Sequence, residues 1–287
     1  MAINADAVGT KGDPARHTWG SKDAILYAIG VGAGAVDPLQ ELAFTTENTS
    51  NVDQQVLPTM AVVLGVGGGS AFGSVGSFNP AMLVHGEQAI TLHGPIPVEG
   101  EVETVGEITA IWDKGKGAVI EVTSTSTDTS TGQPLFTAMM SAVIRGEGDF
   151  GGERGPSGPK NVAPESEPDH TVTYATRSDQ ALLYRLSGDR NPLHSDPAFA
   201  AIGGFDRPIL HGLCSYGFTG RALLHTLCDS DPARFGSMAA RFSSPVLPGE
   251  ALTIKMWDTG EGEATFQTAG ADGRTVIDAG HFTYTAN

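Results

Sequence analysis

A chain of 287 residues can form two ordinary domains, or one pseudo-symmetric unit of two halves, and can bury a sizeable core. A hydrophobic share of 40% with 38 Gly and 17 Pro describes a globular protein of many strands and turns, which excludes disorder and a coiled coil. A formal net charge of −16 argues against nucleic acid and anionic membrane surfaces as partners.

Residues 1–22 are polar and lack the apolar stretch of a secretory signal. The apolar run 24–36 spans 13 residues, short of the roughly 20 a membrane helix needs, and reads as core. In the middle of the first half, residues 65–77 read GVGGGSAFGSVGS. So much glycine opposes a regular helix by about 1 kcal/mol per Gly, so a helix there should be short, broken or missing. Strand-like alternation follows over 101–111 and 118–128, within a predicted run of three strands at 98–146.

Residues 148–168, rich in Gly, Pro, Ser and charge, read as a linker between a half at 1–147 and a half at 169–287. Beyond it come a short helix ending at Gly188 and a tight loop. A helix over 212–227 then carries Leu213, Tyr216, Gly220, Leu223, Leu224 and Leu227 on one stripe. Three further strands are expected at 247–285. Cys214 and Cys228 sit 14 positions apart on that helix, roughly 21 Å and beyond disulfide reach, which suits a reduced cytoplasmic setting.

The halves repeat each other weakly. Ala24–Tyr27 matches Ala181–Tyr184 at an offset of 157, Pro58 matches Pro208 at 150, and Gly100–Glu101 matches Gly249–Glu250 at 149. The expected fold is therefore α+β: two antiparallel sheets, each wrapping a central helix, the N-terminal helix shortened or broken, with the sheets paired.

Chemistry concentrates in Tyr184–Pro197. Asp189 and His194, five residues apart around a turn fixed by Pro192, can converge on one water, and Asn191 between them can orient it. Alternatively, Asp189 and Asn191 only cap turns and His194 is a satisfied surface histidine. The repeat places Gly32 and Asp37 opposite Asp189 and His194, so the polar trio is not demanded by the fold. Downstream, Arg207–Cys214 reads as a turn that opens a helix at Gly212, whose free amide either binds an oxyanion or merely permits tight packing. Any anionic ligand must be met by scarce cations, with Lys114, Lys116, Arg190, Arg207 and Arg241 the candidates. The eight histidines show no metal-ligand spacing, and GVGAG at 30–34 lacks the dinucleotide-binding pattern.

SGDRNPLHSDPAFA (187–200) followed by RPILHGLCSYG (207–217) resembles the signature of the MaoC-like hydratase 2 family. The resemblance extends to LVHGEQ (83–88), WDKGKG (112–117), GDFGGER (148–154) and ARFSSPVLPGE (240–250). It implies a double hot-dog fold and an (R)-specific 2-enoyl-CoA hydratase, a hydro-lyase. It assigns catalysis to Asp189 and His194, water positioning to Asn191 and carbonyl binding to the Gly212 amide. Coenzyme A and acyl contacts fall on His85, Gly86, Lys114 and Phe242, with Arg190 close to the loop. No cofactor or metal is implied beyond the coenzyme A of the substrate; the implied first half is non-catalytic and binds acyl-CoA. A shortened N-terminal helix would admit long, branched or polycyclic acyl chains, steroid side chains included. A homodimer extending the sheets is the expected assembly. Two other readings stand beside this one: a hot-dog acyl-CoA thioesterase and a non-enzymatic acyl-CoA-binding protein.

Overall fold

The computed structural model describes residues 3–65, 68–158 and 160–286. The first half comprises β1 (Ala15–Trp19), α1 (Ser21–Gly30), α2 (Leu42–Thr45), α3 (Ala61–Leu64), β2 (Leu83–Leu92), β3 (Gly100–Asp113), β4 (Gly117–Asp128) and β5 (Pro134–Arg145). The second comprises β6 (His170–Ala175), α4 (Gln180–Tyr184), α5 (Pro197–Ile202), α6 (Gly212–Leu227), β7 (Phe235–Phe242), β8 (Ala251–Gly260), β9 (Glu263–Ala269) and β10 (Thr275–Tyr284). Among the described residues no helix is long and apolar enough to cross a membrane.

Strand order is β1-β3-β4-β5-β2 in the first half and β7-β10-β9-β8-β6 in the second. The two five-stranded sheets join edge to edge where β2 pairs antiparallel with β7, from Glu87 opposite Arg241 to Thr91 opposite Ser237, making one sheet of ten. Each half thus loses one exposed edge to the other, removing a row of unpaired backbone groups. This is the double hot-dog arrangement that the resemblance implied, and its two like halves agree with the repeat.

The central helix α6 spans Gly212–Leu227, as its sequence stripe suggested. Burial reaches further than the stripe: Cys214, Ser215, Gly217, Phe218, Thr219, Arg221 and Ala222 are buried as well. Both halves contribute: Thr219 bonds Thr268 of β9 (2.8 Å) and Phe218 and Arg221 meet Tyr174 of β6, while Tyr27 and Val31 of the first half reach Gly217, and Thr59 reaches Gly220 at the margin of the stripe. In the first half the central helix stops at Leu64 after four residues, and a 3-10 turn at Gly68–Ser74 follows; Val66 and Gly67 lie outside the described residues.

Residues 148–168 are no free spacer. The Asp113 carboxylate accepts the amides of Asp149 (2.8 Å) and Gly151 (3.0 Å), Lys114 Nζ donates to the Pro156 carbonyl (2.6 Å), and Trp257 Nε1 donates to Ser166 O (2.9 Å). The segment is pinned to both halves.

The halves are also locked by a buried charge network. Arg221 on α6, only 3% exposed, lies 2.9 Å from Glu41 Oε1 through Nε, donates to Val31 O, and stacks its guanidinium 3.9 Å from the Tyr174 ring centroid. Glu41 also accepts His225 Nε2–H at 2.7 Å and the Gly34 amide at 3.0 Å. Burial works against its charge, but His225, Arg221 and Gly34 together hold its carboxyl below the usual range. Removing one partner of such a pair strands the other charge. Glu41→Ala should therefore lower the unfolding free energy by about 3–5 kcal/mol, measured by urea denaturation, whereas an exposed pair such as Arg16 with Glu103 should cost under about 1 kcal/mol.

Candidate active site

A short helical stretch over 180–187 ends where Gly188 takes φ 134°, a conformation glycine adopts without strain, and the chain turns into the 189–194 loop. Two side-chain caps shape that loop. Asp189 Oδ1 accepts the Asn191 amide at 3.1 Å, and Asn191 Oδ1 accepts the Leu193 amide at 3.0 Å. The capping role weighed from sequence is thus met, and it leaves the second carboxylate oxygen of Asp189 and the Asn191 side-chain amide for other partners. Pro192 begins a 3-10 turn that delivers His194 into the interior at 8% exposure.

His194 Nδ1 lies 2.9 Å from the Ile209 carbonyl. A carbonyl only accepts, so Nδ1 carries the proton, and in the neutral ring Nε2 holds a free lone pair. Burial lowers the affinity of this imidazole for a second proton, with the Ile209 bond and the Asp189 charge opposing. His194 therefore stands neutral at pH 7, with one nitrogen ready to accept.

Parallel to it lies His211, its ring centroid 3.7 Å away at 28°. His211 Nε2 donates to the Asp189 backbone carbonyl at 3.2 Å, and burial, then the neighbouring His194, pushes its pKa down to about 4. His211 Nδ1 is buried without a partner, and the ring touches Tyr184 at a centroid distance of 5.0 Å. Ligand-type atoms of Asp189, His194 and His211 lie within 4.8 Å of one another. His211 received no role from the sequence. A signal was present: the repeat sets Ala61 opposite His211, the same kind of replacement that marked Asp189 and His194.

Gly212 begins α6, so its amide has no acceptor within the helix. A Cβ at this position would sit 3.2 Å from Phe242 Cδ1, so a side chain would crowd the phenyl ring. Phe242 in turn meets His85 edge-on at 4.9 Å. His85 bonds to Glu87 O at 3.1 Å, and burial takes its pKa to about 4, against the pull of Asp189. The register of β2 against β5 shifts between His85 and Glu87, and a Cβ at Gly86 would fall 2.9 Å from Ser141 Oγ. Gly86 thus serves the bulge that aims His85.

The structure accordingly brings Asp189, His194, His211, Gly212, Phe242 and His85 together at the β2–β7 seam. Asn191 and Arg190 are exposed on the same loop. Lys114 stands apart, on the β3–β4 hairpin at the same end of the sheet, three strand widths or roughly 14 Å from the Leu83 end of β2.

Two family models match the chain: the MFE-2 hydratase 2 N-terminal domain over residues 17–146 and the MaoC like domain over 160–279. The chain is 48% identical over 294 residues to 3-hydroxyacyl-thioester dehydratase Y of Mycobacterium tuberculosis, covering 100% of both chains. It is 44% identical over 270 residues to the enoyl-CoA hydratase ChsH3 of the same organism, covering 91% of each. In structure it is similar to a MaoC-like dehydratase from Phytophthora capsici, with a TM-score of 0.88 and 32% identity across 99% of both chains.

Three imidazoles with lowered pKa values make the native state refuse protons that the unfolded chain accepts below about pH 6.5. Stability should therefore be full above that pH and fall as pH drops toward 4. Urea unfolding at pH 7 and pH 5 checks this, and the drop should shrink in His211→Phe, which removes one of the three groups.

Proposed function

Because the chain belongs to the MaoC-like hydratase 2 family, we propose that it adds water across the 2,3 double bond of an enoyl-coenzyme A thioester, giving the (3R)-hydroxyacyl product, and catalyses the reverse dehydration. The observation that carries this reading is one carboxylate and one neutral imidazole, Asp189 and His194, converging beside the free amide that opens α6.

The thioester carbonyl accepts the Gly212 N–H, which draws charge onto oxygen and makes C3 electrophilic. A water held by Asp189 and the Asn191 side-chain amide lies against His194 Nε2. His194 takes one proton of that water while its oxygen bonds to C3. The resulting imidazolium, stabilised by the Asp189 charge, returns the proton to C2 on the same face. One water is consumed, and the imidazole ends neutral as it began. His211 acts as a positioning residue: its stack and its bond to the Asp189 backbone hold both reacting side chains in register.

We read the chemistry as metal-free. His194 Nδ1 and His211 Nε2 are engaged with the Ile209 and Asp189 carbonyls, and hydration needs only the carboxylate and one neutral imidazole. In this reading Phe242 and His85 flank the acyl group, Lys114 meets the coenzyme A phosphates once released from Pro156, and Arg190 assists from the loop; the contact of His85 with Phe242 beside Gly212 supports the first of these. The shortened α3 favours long, branched or polycyclic acyl tails. The buried, unpaired thiols of Cys214 and Cys228 suit a reducing cytoplasm, and a homodimer remains our expectation for the assembly.

Asp189→Asn and His194→Gln should each lower kcat for crotonyl-CoA hydration by about 10²- to 10⁴-fold, followed by loss of the enoyl-thioester absorbance. Full activity in both variants would overturn the mechanism, and thiol release from saturated acyl-CoA would favour a thioesterase instead. Since His194 must be neutral to act, the acid limb of kcat/KM should fall below pH 6.5, with activity lost as pH drops through it.

A further inference from the structure

In the second half the space over the sheet is filled by α6, buried on all sides. In the first half α3 ends at Leu64, yet the inner sheet face beyond it is not bare. Ile3, Ala7, Ala71 and Val75 pack there against Ile108, Ile111, Ala118, Ile120, Val122 and Ile144 as a second, separate core. The register leads this core straight to the site, because His85 pairs with Ala142, Ala142 with Ile120, and Ile120 with Ile111. That is an apolar path of three strand widths, roughly 14 Å.

We infer that residues 3–12 and the turn Gly68–Ser74 form one displaceable cover over this path and determine which acyl tails the protein accepts. The assignment of the path to an acyl tail rests on the hydratase reading. With the thioester carbonyl at Gly212, the tail cannot run along the second half, which α6 occupies, so the apolar face beyond His85 is the open direction.

The two pieces of the cover behave as a unit. Asn4 N donates to Val75 O at 2.8 Å and Asn4 Nδ2 to Ser74 O at 3.1 Å, and a Cβ on Gly12 would fall 2.7 Å from the Ala71 amide nitrogen. The same segment is tied to β3 through Gly9 N to Ile108 O (2.8 Å), Ile108 N to Thr10 O (3.0 Å) and Gly12 N to Gly106 O (2.8 Å). A handful of such bonds and a few apolar side chains open at far lower cost than a 16-residue helix with residues 214–224 buried throughout. Ile3 (7% exposed) and Ala7 (2% exposed) bury one branched and one short aliphatic side chain, apolar contact that a long acyl tail can supply on the sheet in their place.

The test compares crotonyl-CoA, too short to reach the cover, with hexadec-2-enoyl-CoA. Two variants are used, deletion of residues 1–8 and Ile3→Ala. The ratio of kcat/KM for the long over the short substrate should rise at least tenfold on deletion and two- to fivefold for Ile3→Ala, with crotonyl-CoA turnover within threefold of the parent. A ratio unchanged in both variants while crotonyl-CoA turnover is kept, or a ratio that falls, overturns the inference. Should the deletion fail to fold, Ile3→Ala decides alone. Absence of crotonyl-CoA hydration in the parent protein would instead strike the hydratase reading itself.

Discussion

A helix buried on every side cannot be sheltered by one five-stranded sheet, and this constraint on α6 organises the molecule. Tyr216 and Thr219 bond to Met238 and Thr268 of the second sheet, while Gly217 and Arg221 meet Val31 of the first half. The β2–β7 seam, the contact of Tyr27 with Tyr184, and the Arg221–Glu41–His225 network all follow from enclosing that helix between two halves. The amide at its start is thereby fixed at the seam, where each half contributes a wall.

Chemistry is set by what this burial does to imidazole. Ile209 claims the Nδ1 proton of His194, His211 lies flat against its ring, and the shared low-polarity surroundings keep both rings neutral. A base that is neutral at physiological pH and held in one tautomer can take a proton from water without a change of rotamer. Asp189 gives one oxygen to loop geometry, so the carboxylate we propose to react also shapes the loop.

The two halves divide the work by diverging at corresponding places. Where the second half has Asp189, His194 and His211, the first has Gly32, Asp37 and Ala61; where the second has a 16-residue helix, the first has four helical residues and a glycine-rich turn. In our proposal one half supplies the reacting groups, and the other an apolar face with a light cover. The segment 148–168 is tied down to both halves even though its composition is that of a spacer.

Local sequence sufficed wherever the signal was periodic or made of turn chemistry: the bounds of α6, the three closing strands of each half, the break after Leu64, and the Asp189–His194 loop set by Gly188 and Pro192. The duplication was legible because Ala24–Tyr27, Pro58 and Gly100–Glu101 recur in the same order in the second half. What the sequence could not hold was contact between residues far apart in the chain. His211 against His194, Phe242 against Gly212, Arg221 against Glu41, and Ile3 on a sheet strand a hundred residues away are all products of closure around α6. Nor did pattern reveal that one face of that helix is only half of its burial, since hydrophobic periodicity reports the sheet a helix packs on and is silent about a second body arriving from elsewhere in the chain.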